Sequence, residues 1–294
     1  MHYNGPIVRP QTDADSIFIE VTVGCTHNRC TFCNFYDGYP FRVAPLEQME
    51  EDLIEASKRY PNAKKIWANG GNPYALSTEK LFQVGKLFKK YFPDSRISTY
   101  ARIDDLLRKS VDDMRLLKEC GFEDLVIGFE TGDNETLEYV NKGYNADDIL
   151  TGCKRLEEAG VDYRMIFLGG LSGKGNCEKS ALKTAEILNQ LHPYLMYLNS
   201  VSVLPGTKLY EEVQKGLFQT ADEKELVMEF ITLLQNMKNE IAIFAAPNTT
   251  PFSFFVNLQP VKEELLEQMR KFADGIDEKE ELKMSKQRNQ KTSV

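Results

Sequence analysis

From residue 16 to about residue 245 the chain alternates between two patterns of apolar and polar positions. Short runs rich in β-branched and aromatic residues are followed by Gly, Pro or Asn: "SIFIEVTV", "KKIWAN", "RISTYA", "DLVIGF", "VDYRMIFL" and "YLMYLNSVSVL". Between them lie longer stretches whose apolar residues return every three or four positions, the spacing of one helix face. "APLEQMEEDLIEASKRY" opens with Pro45 near the first helical position, where a missing N–H costs nothing. "STEKLFQVGKLFKKY" opens with a Ser or Thr cap. "DDLLRKSVDDMRLLKECG" runs as one helix to Gly121 and "NADDILTGCKRLEEAG" to Gly160, both placed where a helix end favours glycine. "NCEKSALKTAEILNQL" repeats the same period.

Six strands alternating with helices predict an α/β fold around a parallel sheet. Residues with chemical potential follow most of the strands, and in barrels the active site gathers at those strand ends. The expected architecture is therefore a partial (β/α)6 barrel with a small C-terminal extension. The expected divisions are an N-terminal segment (1–15), the barrel (16–220), an extension of helix, strand and helix packed on it (221–275), and a polar tail (276–294). That tail carries no periodic apolar residues and is expected to fray or stay disordered.

Charge narrows the partners. The 294 residues carry a formal net charge of −8. Their cations alternate with acids along helix faces, as in "KSVDDMRLLKE", which disfavours a nucleic-acid partner. No apolar run reaches the length of a membrane span. The start, "MHYNGPIVRPQTDAD", lacks the basic-then-apolar pattern of a signal peptide. A cytoplasmic location is expected, where thiols stay reduced and clustered cysteines bind metal or do chemistry.

Three of the six cysteines fall within "CTHNRCTFC", residues 25–33. Zinc is one reading, with His27 as a fourth ligand, although structural zinc sites usually draw on two separated pairs. An iron–sulfur cluster is the other. Clusters normally take four cysteines, so three would leave one iron open to an exogenous ligand, as catalysis requires. Cys120, Cys153 and Cys177 stand singly in helical surroundings and read as inert.

Cys25-x4-Cys30-x2-Cys33 after a first strand, with the aromatic Phe32 before the third cysteine, resembles the cluster loop of radical S-adenosylmethionine enzymes. The usual spacing there is x3 then x2, so this chain has one extra residue in the first gap. The resemblance covers residues 16–215. "NGGNPYAL" resembles the family's Gly-Gly-Glu segment, with Gly70 and Gly71 in place and Asn72 where Glu stands. This implies backbone binding of the amino group of S-adenosylmethionine, since glycines allow close approach of main-chain carbonyls. "GFETGDNETLEYVNKGY" resembles the coproporphyrinogen oxidase branch, which implies Glu130 on the ribose hydroxyls and Lys142 on the methionine carboxylate. "FLGGLSGKGN" has no phosphate-loop pattern. The resemblance implies backbone contact with the adenine there, near Phe167 and Leu168. "LPGTKLY" resembles the family's Pro-Gly-Thr turn, and reads equally as a turn opening a helix at Thr207.

The cofactors so implied are a [4Fe–4S] cluster with one open iron and S-adenosylmethionine. The implied partner is an electron donor of flavodoxin or ferredoxin type. The implied chemistry is reductive cleavage to a 5′-deoxyadenosyl radical that abstracts hydrogen from a small polar substrate. Strand ends nominate Tyr36, Tyr100, Arg102 and Asn199 for that substrate, with Phe254 and Asn257 closing the mouth. Aromatic and amide groups suit a planar heterocycle such as a modified nucleobase. Compact members without auxiliary domains resemble the queuine lyases, which release an aminomethyl deazaguanine, and this is the specific expectation. The alternatives are a radical dehydrogenase or mutase on another small metabolite, a tRNA-modifying radical enzyme, and a zinc-binding interaction protein.

Overall fold

The computed structural model describes residues 1–290. The first predicted strand is cut short. β1 (Ile17–Glu20) ends, and β2 (Thr22–Val23) turns off to pair antiparallel with β3 (Arg42–Val43). α1 (Leu46–Arg59) starts directly after Pro45 and is followed by β4 (Lys65–Asn69). α2 (Thr78–Tyr91) is capped by Ser77, whose hydroxyl accepts from the Lys80 N–H at 3.3 Å. β5 (Arg96–Ala101) comes next.

The stretch predicted as one helix to Gly121 is two, α3 (Ile103–Leu107) and α4 (Val111–Glu119). Ser110 interrupts it. Its hydroxyl accepts from the Asp113 N–H at 3.1 Å while the Asp113 carboxylate accepts from the Ser110 N–H at 2.9 Å, a reciprocal cap that starts a new helix.

The chain continues through β6 (Phe122–Glu130), α5 (Asn134–Tyr139), α6 (Ala146–Ala159), β7 (Asp162–Gly169) and α7 (Cys177–Leu188). It ends with β8 (Leu195–Ser200), α8 (Lys208–Gln214), α9 (Glu223–Asn236), β9 (Ala242–Ala245), β10 (Phe254–Asn257), α10 (Leu258–Asp274) and α11 (Glu278–Asn289).

Eight strands join in the order β1-β4-β5-β6-β7-β8-β9-β10. β1, β4, β5 and β6 pair parallel in turn, as do β8 and β9, and β10 runs antiparallel to β9. This is the expected α/β fold with a mostly parallel, unclosed sheet. No helix among the described residues is long and apolar enough to cross a membrane.

The chain divides into two compact units. The first comprises residues 1–28, 35–128 and 151–164. Its helices α1, α2 and α4 bury Met49, Leu53, Leu81, Phe88, Met114 and Leu117. A charged network lies inside it. Arg164 Nη2 donates to Asp13 at 2.8 Å and to Asp124 at 2.6 Å, while Trp67 Nε1 donates to Asp13 at 3.0 Å and Ser98 to Asp124 at 2.7 Å. These bonds tie the N-terminal segment to the strands. A buried charge is tolerated there because each carboxylate meets a cation and further donors.

The second unit comprises residues 29–34, 129–150 and the chain from 165 onward. Here α7, α9 and α10 bury Leu188, Phe230, Leu233, Leu266 and Met269. The tail expected to be disordered forms α11 over residues 278–289, and its last four residues, 291–294, lie outside the described residues. Arg288 is buried in this unit. Its Nε donates to Glu223 at 2.8 Å and its Nη2 to the Ala221 carbonyl at 3.1 Å. The helix is held by long-range polar contacts, which leave no apolar period in the sequence.

Candidate cofactor and substrate site

In the first unit, Cys25 follows β2 and the Gly70–Gly71 turn follows β4. The two are in close contact. A Cβ on Gly71 would come within 2.8 Å of the Gly24 carbonyl carbon and 3.0 Å of Cys25 Cα. A Cβ on Gly70 would come within 2.5 Å of the Thr22 carbonyl oxygen, and Gly70 holds φ +153°. Both positions therefore demand glycine.

Asn72 is fully buried, and its side chain is spent on protein partners. Oδ1 accepts from the Thr26 N–H at 3.0 Å, and Nδ2 donates to Thr26 Oγ1 at 2.7 Å and to Asp105 Oδ2 at 2.9 Å. Only its backbone is left for a cofactor. Asp105 Oδ2 also accepts from the Arg102 N–H at 2.9 Å. Burial pushes the Asp105 carboxyl up to about 6, against the lowering effect of those two bonds. The Arg102 side chain is engaged by Asp104 at 2.8 Å, Tyr36 is buried, and the Tyr100 ring lies 5.0 Å from Trp67.

Close to the glycine turn, Thr22 Oγ1, Asn69 Oδ1 and Asp105 Oδ1 are buried without a hydrogen-bond partner. Thr22 touches Gly70, Asn69 precedes it, and Asp105 holds Asn72. Folded proteins rarely leave such groups unpaired, so their concentration around one turn fits a place where a polar ligand is received.

In the second unit, Cys30 and Cys33 are joined by a turn, with the Cys33 N–H donating to the Cys30 carbonyl at 3.3 Å. Thr31 between them is held on both sides. Its N–H donates to the Val140 carbonyl at 3.0 Å, and its carbonyl accepts from Leu209 N–H at 2.8 Å. Phe32 is buried among Val140, Leu168, Leu171 and Leu209. The structure brings Glu130 and Lys142 together, with Nζ 3.0 Å from Oε1. The same ammonium lies 5.9 Å from the Phe32 ring centroid and 5.4 Å from that of Tyr144. Glu130 has φ +68°, and the Thr131 N–H donates to the Phe129 carbonyl at 2.9 Å. This closes a three-residue turn of the rare, strained hand.

Other predicted residues are placed less suggestively. The Phe167 ring is fully buried between Phe129 and Phe230, so only its backbone is left for a ligand. Leu168 packs with Phe32. Thr207 accepts from the Tyr210 N–H at 3.1 Å and caps α8, which is the plain helix start.

Strands β8 to β10 carry three aromatic rings on one face. Tyr197 stands opposite Phe244, and Phe244 opposite Phe255, with ring centroids 5.9 and 5.8 Å apart. Alternation along each strand puts Asn199 and Asn257 on this same face. Phe254 stands on the other face, opposite Ala245, and packs on Phe252. A shift of one residue exchanges the faces of a strand, and "FSFF" alone does not say which phenylalanine points where.

The three loop cysteines are half-buried thiols outside any disulfide, whereas Cys120, Cys153 and Cys177 are buried. Burial raises the thiol pKa of all three of the latter, so they are poor metal ligands and poor nucleophiles. Among the described residues no three His, Cys, Asp or Glu side chains converge on one metal-ion position. A cubane asks for a different arrangement, with each thiolate on its own iron.

Comparison with known proteins identifies the family. The Radical SAM superfamily profile matches residues 19–186, more than half of the chain. The chain belongs to the radical SAM superfamily. It is 29% identical over 240 residues to the heme chaperone HemW of Bacillus subtilis, covering 75% of this chain and 61% of the chaperone. It is 26% identical over 238 residues to an uncharacterized protein of Methanocaldococcus jannaschii, covering 76% and 72%. The structure of coproporphyrinogen III oxidase from Escherichia coli superimposes with a TM-score of 0.58 at 18% identity, covering 85% of this chain and 58% of that one. The family's cofactors are a [4Fe–4S] cluster and S-adenosylmethionine. The glycine cradle, the orphaned polar atoms beside it and the half-buried loop cysteines fit them.

Proposed function

We propose that this radical SAM protein acts on a small planar heterocycle, and specifically that it is a queuine lyase releasing an aminomethyl-7-deazaguanine base. The observation that carries the substrate class is the face shared by Tyr197, Phe244 and Phe255, with Asn199 and Asn257 on it. Aromatic faces receive a flat ring by stacking, and amides read its polar edge. Phe255 is 62% exposed, so a ligand can reach its ring.

When bound, the cluster and S-adenosylmethionine supply a 5′-deoxyadenosyl radical that takes a hydrogen atom from the substrate, with the electron coming from a flavodoxin- or ferredoxin-type donor. In this reading Cys25, Cys30 and Cys33 hold the cluster. Gly70 and Gly71 offer backbone carbonyls to the cofactor ammonium. Glu130 accepts from the ribose hydroxyls, Lys142 pairs with the methionine carboxylate, and the backbone at Phe167 and Leu168 meets the adenine. Tyr36, Tyr100 and Arg102 are further proposed substrate contacts.

The relation to a heme chaperone favours a second reading, in which the planar ligand is a tetrapyrrole. One experiment separates the two. Anaerobically reconstituted protein is incubated with S-adenosylmethionine, dithionite and either queuine or a porphyrin. Release of a new base from queuine supports the lyase. Unchanged queuine while 5′-deoxyadenosine accumulates removes it, and retention of haem through gel filtration then supports the tetrapyrrole.

A further inference from the structure

The family segment that "NGGNP" matches carries Glu where this chain has Asn72. The hydrogen-bond inventory around Asn72 gives that difference a role. A primary amide offers two N–H donors and a carbonyl oxygen. Here the oxygen takes the Thr26 N–H, and the donors meet Thr26 Oγ1 and Asp105 Oδ2. Thr26 is the residue after Cys25. Asp105 is in turn anchored by the Arg102 N–H at the start of α3.

We infer that Asn72 is a positioning residue that clamps the Cys25–Thr26 segment of the cysteine loop to Asp105, and that Asp105 is what excludes Glu from position 72 in this protein. The inference rests on membership of the radical SAM family and is independent of which substrate is used.

The exclusion follows from donor and acceptor count. An ionised glutamate side chain in place of the amide has only acceptors. It can still receive the Thr26 N–H and hydroxyl, but it places a carboxylate oxygen against Asp105 Oδ2. The buried pair then either repels or takes up a proton that the amide does not need, and either costs stability near neutral pH. Asp105 has no spare partner to absorb this, since its Oδ1 already lacks one. D105N removes one of the two charges. The Asn72 and Arg102 N–H groups both meet the same Asp105 Oδ2, so from that atom the new amide serves either the Arg102 N–H or the introduced carboxylate.

The test uses full-length protein carrying N72E, D105N and both together. Three readouts apply: melting of the apoprotein, iron bound after reconstitution, and the change in the EPR spectrum of the reduced cluster on adding S-adenosylmethionine. N72E is expected to bind at least threefold less iron and to lose the cofactor-induced spectral change. The double variant is expected to recover both in part, to at least about twice the N72E values, since one of the two facing charges is gone. N72A, which removes the clamp without adding charge, is expected to melt as a folded protein and to surrender its iron to a chelator at least threefold faster than wild type. The inference is overturned if N72E loads iron and responds to the cofactor like wild type, or if the double variant is no better than N72E. Should N72E not fold, an unchanged rate of iron loss in N72A overturns it equally.

Discussion

The Lys142 ammonium sits 3.0 Å from the Glu130 carboxylate, and both side chains are almost entirely withdrawn from water. Glu130 reaches this partner from a backbone with φ +68°, a conformation that disfavours any residue with a Cβ. The two groups proposed for opposite ends of one cofactor thus hold each other in the free protein. Strain of this kind persists only where the surroundings over-determine it, and it collects at functional sites.

Removing one member of this pair leaves a buried charge without compensation. Lys142→Met is expected to cost about 3 kcal/mol of stability in denaturant titration, whereas the double variant E130Q/K142M costs less than the single one. At position 130 itself, Gly is expected to be about 1 kcal/mol more stable than Ala, because only Gly relaxes at this φ. A preference for Ala would show that the turn opens in solution. K142M and E130A are each expected to lose at least tenfold in affinity for S-adenosylmethionine.

Gly71→Ala is expected to displace the cysteine loop, since the new methyl group meets Gly24 and the Cys25 backbone. The neighbouring atoms are main chain and cannot swing aside. Reconstituted protein is expected to hold less than a third of the wild-type iron, by colorimetric assay.

The cysteines separate into two sets. C25A, C30A and C33A are each expected to abolish the brown chromophore and cofactor cleavage. C120A, C153A and C177A are expected to retain both, at a stability cost of about 1 kcal/mol for the lost sulfur in a packed interior. Absorption spectra of the six reconstituted variants check this.

Glu229 is buried, and its carboxylate oxygen accepts from the Gly170 N–H at 2.6 Å beside Cys177 and Glu225. Burial pushes this carboxyl up to about 8 in the folded protein, from an ordinary value of 4.5. Between those values the folded state keeps a proton that the unfolded state has released. Stability therefore falls as pH rises through about 4.5 to 8. E229Q keeps the Gly170 bond and has no proton to lose, so its melting temperature is expected to decline less over this interval. A decline identical to wild type would place the titration elsewhere.

Much of this was legible from residue order, because strong periodicity and punctuating glycines are local. Gly121 and Gly160 close α4 and α6 with positive φ, and Ser77 caps α2, each where the pattern put it. The cysteine loop, the glycine pair, Glu130 and Lys142 were visible as spaced motifs. Contacts made across long sequence separations were not. The break at Ser110 carried a local signal, Ser followed three residues later by Asp113, which the run of helix formers around it masked. The helix at 278–289 was invisible because Arg288 finds Glu223 from 65 residues away. The Tyr197–Phe244–Phe255 face depends on strand register, which no single strand encodes. Asn72 was read as a stand-in for Glu, and only its partners Thr26 and Asp105 show where its amide is spent.

The most direct test of the central claim, that three cysteines hold a cluster with one iron left for S-adenosylmethionine, is anaerobic reconstitution followed by incubation with that cofactor and dithionite. About four iron and four sulfide per chain, with 5′-deoxyadenosine formed by wild type and by none of C25A, C30A and C33A, is the predicted result, the stoichiometry following from the cluster type. A colourless protein holding one zinc, or undiminished 5′-deoxyadenosine from any of the three variants, would contradict it.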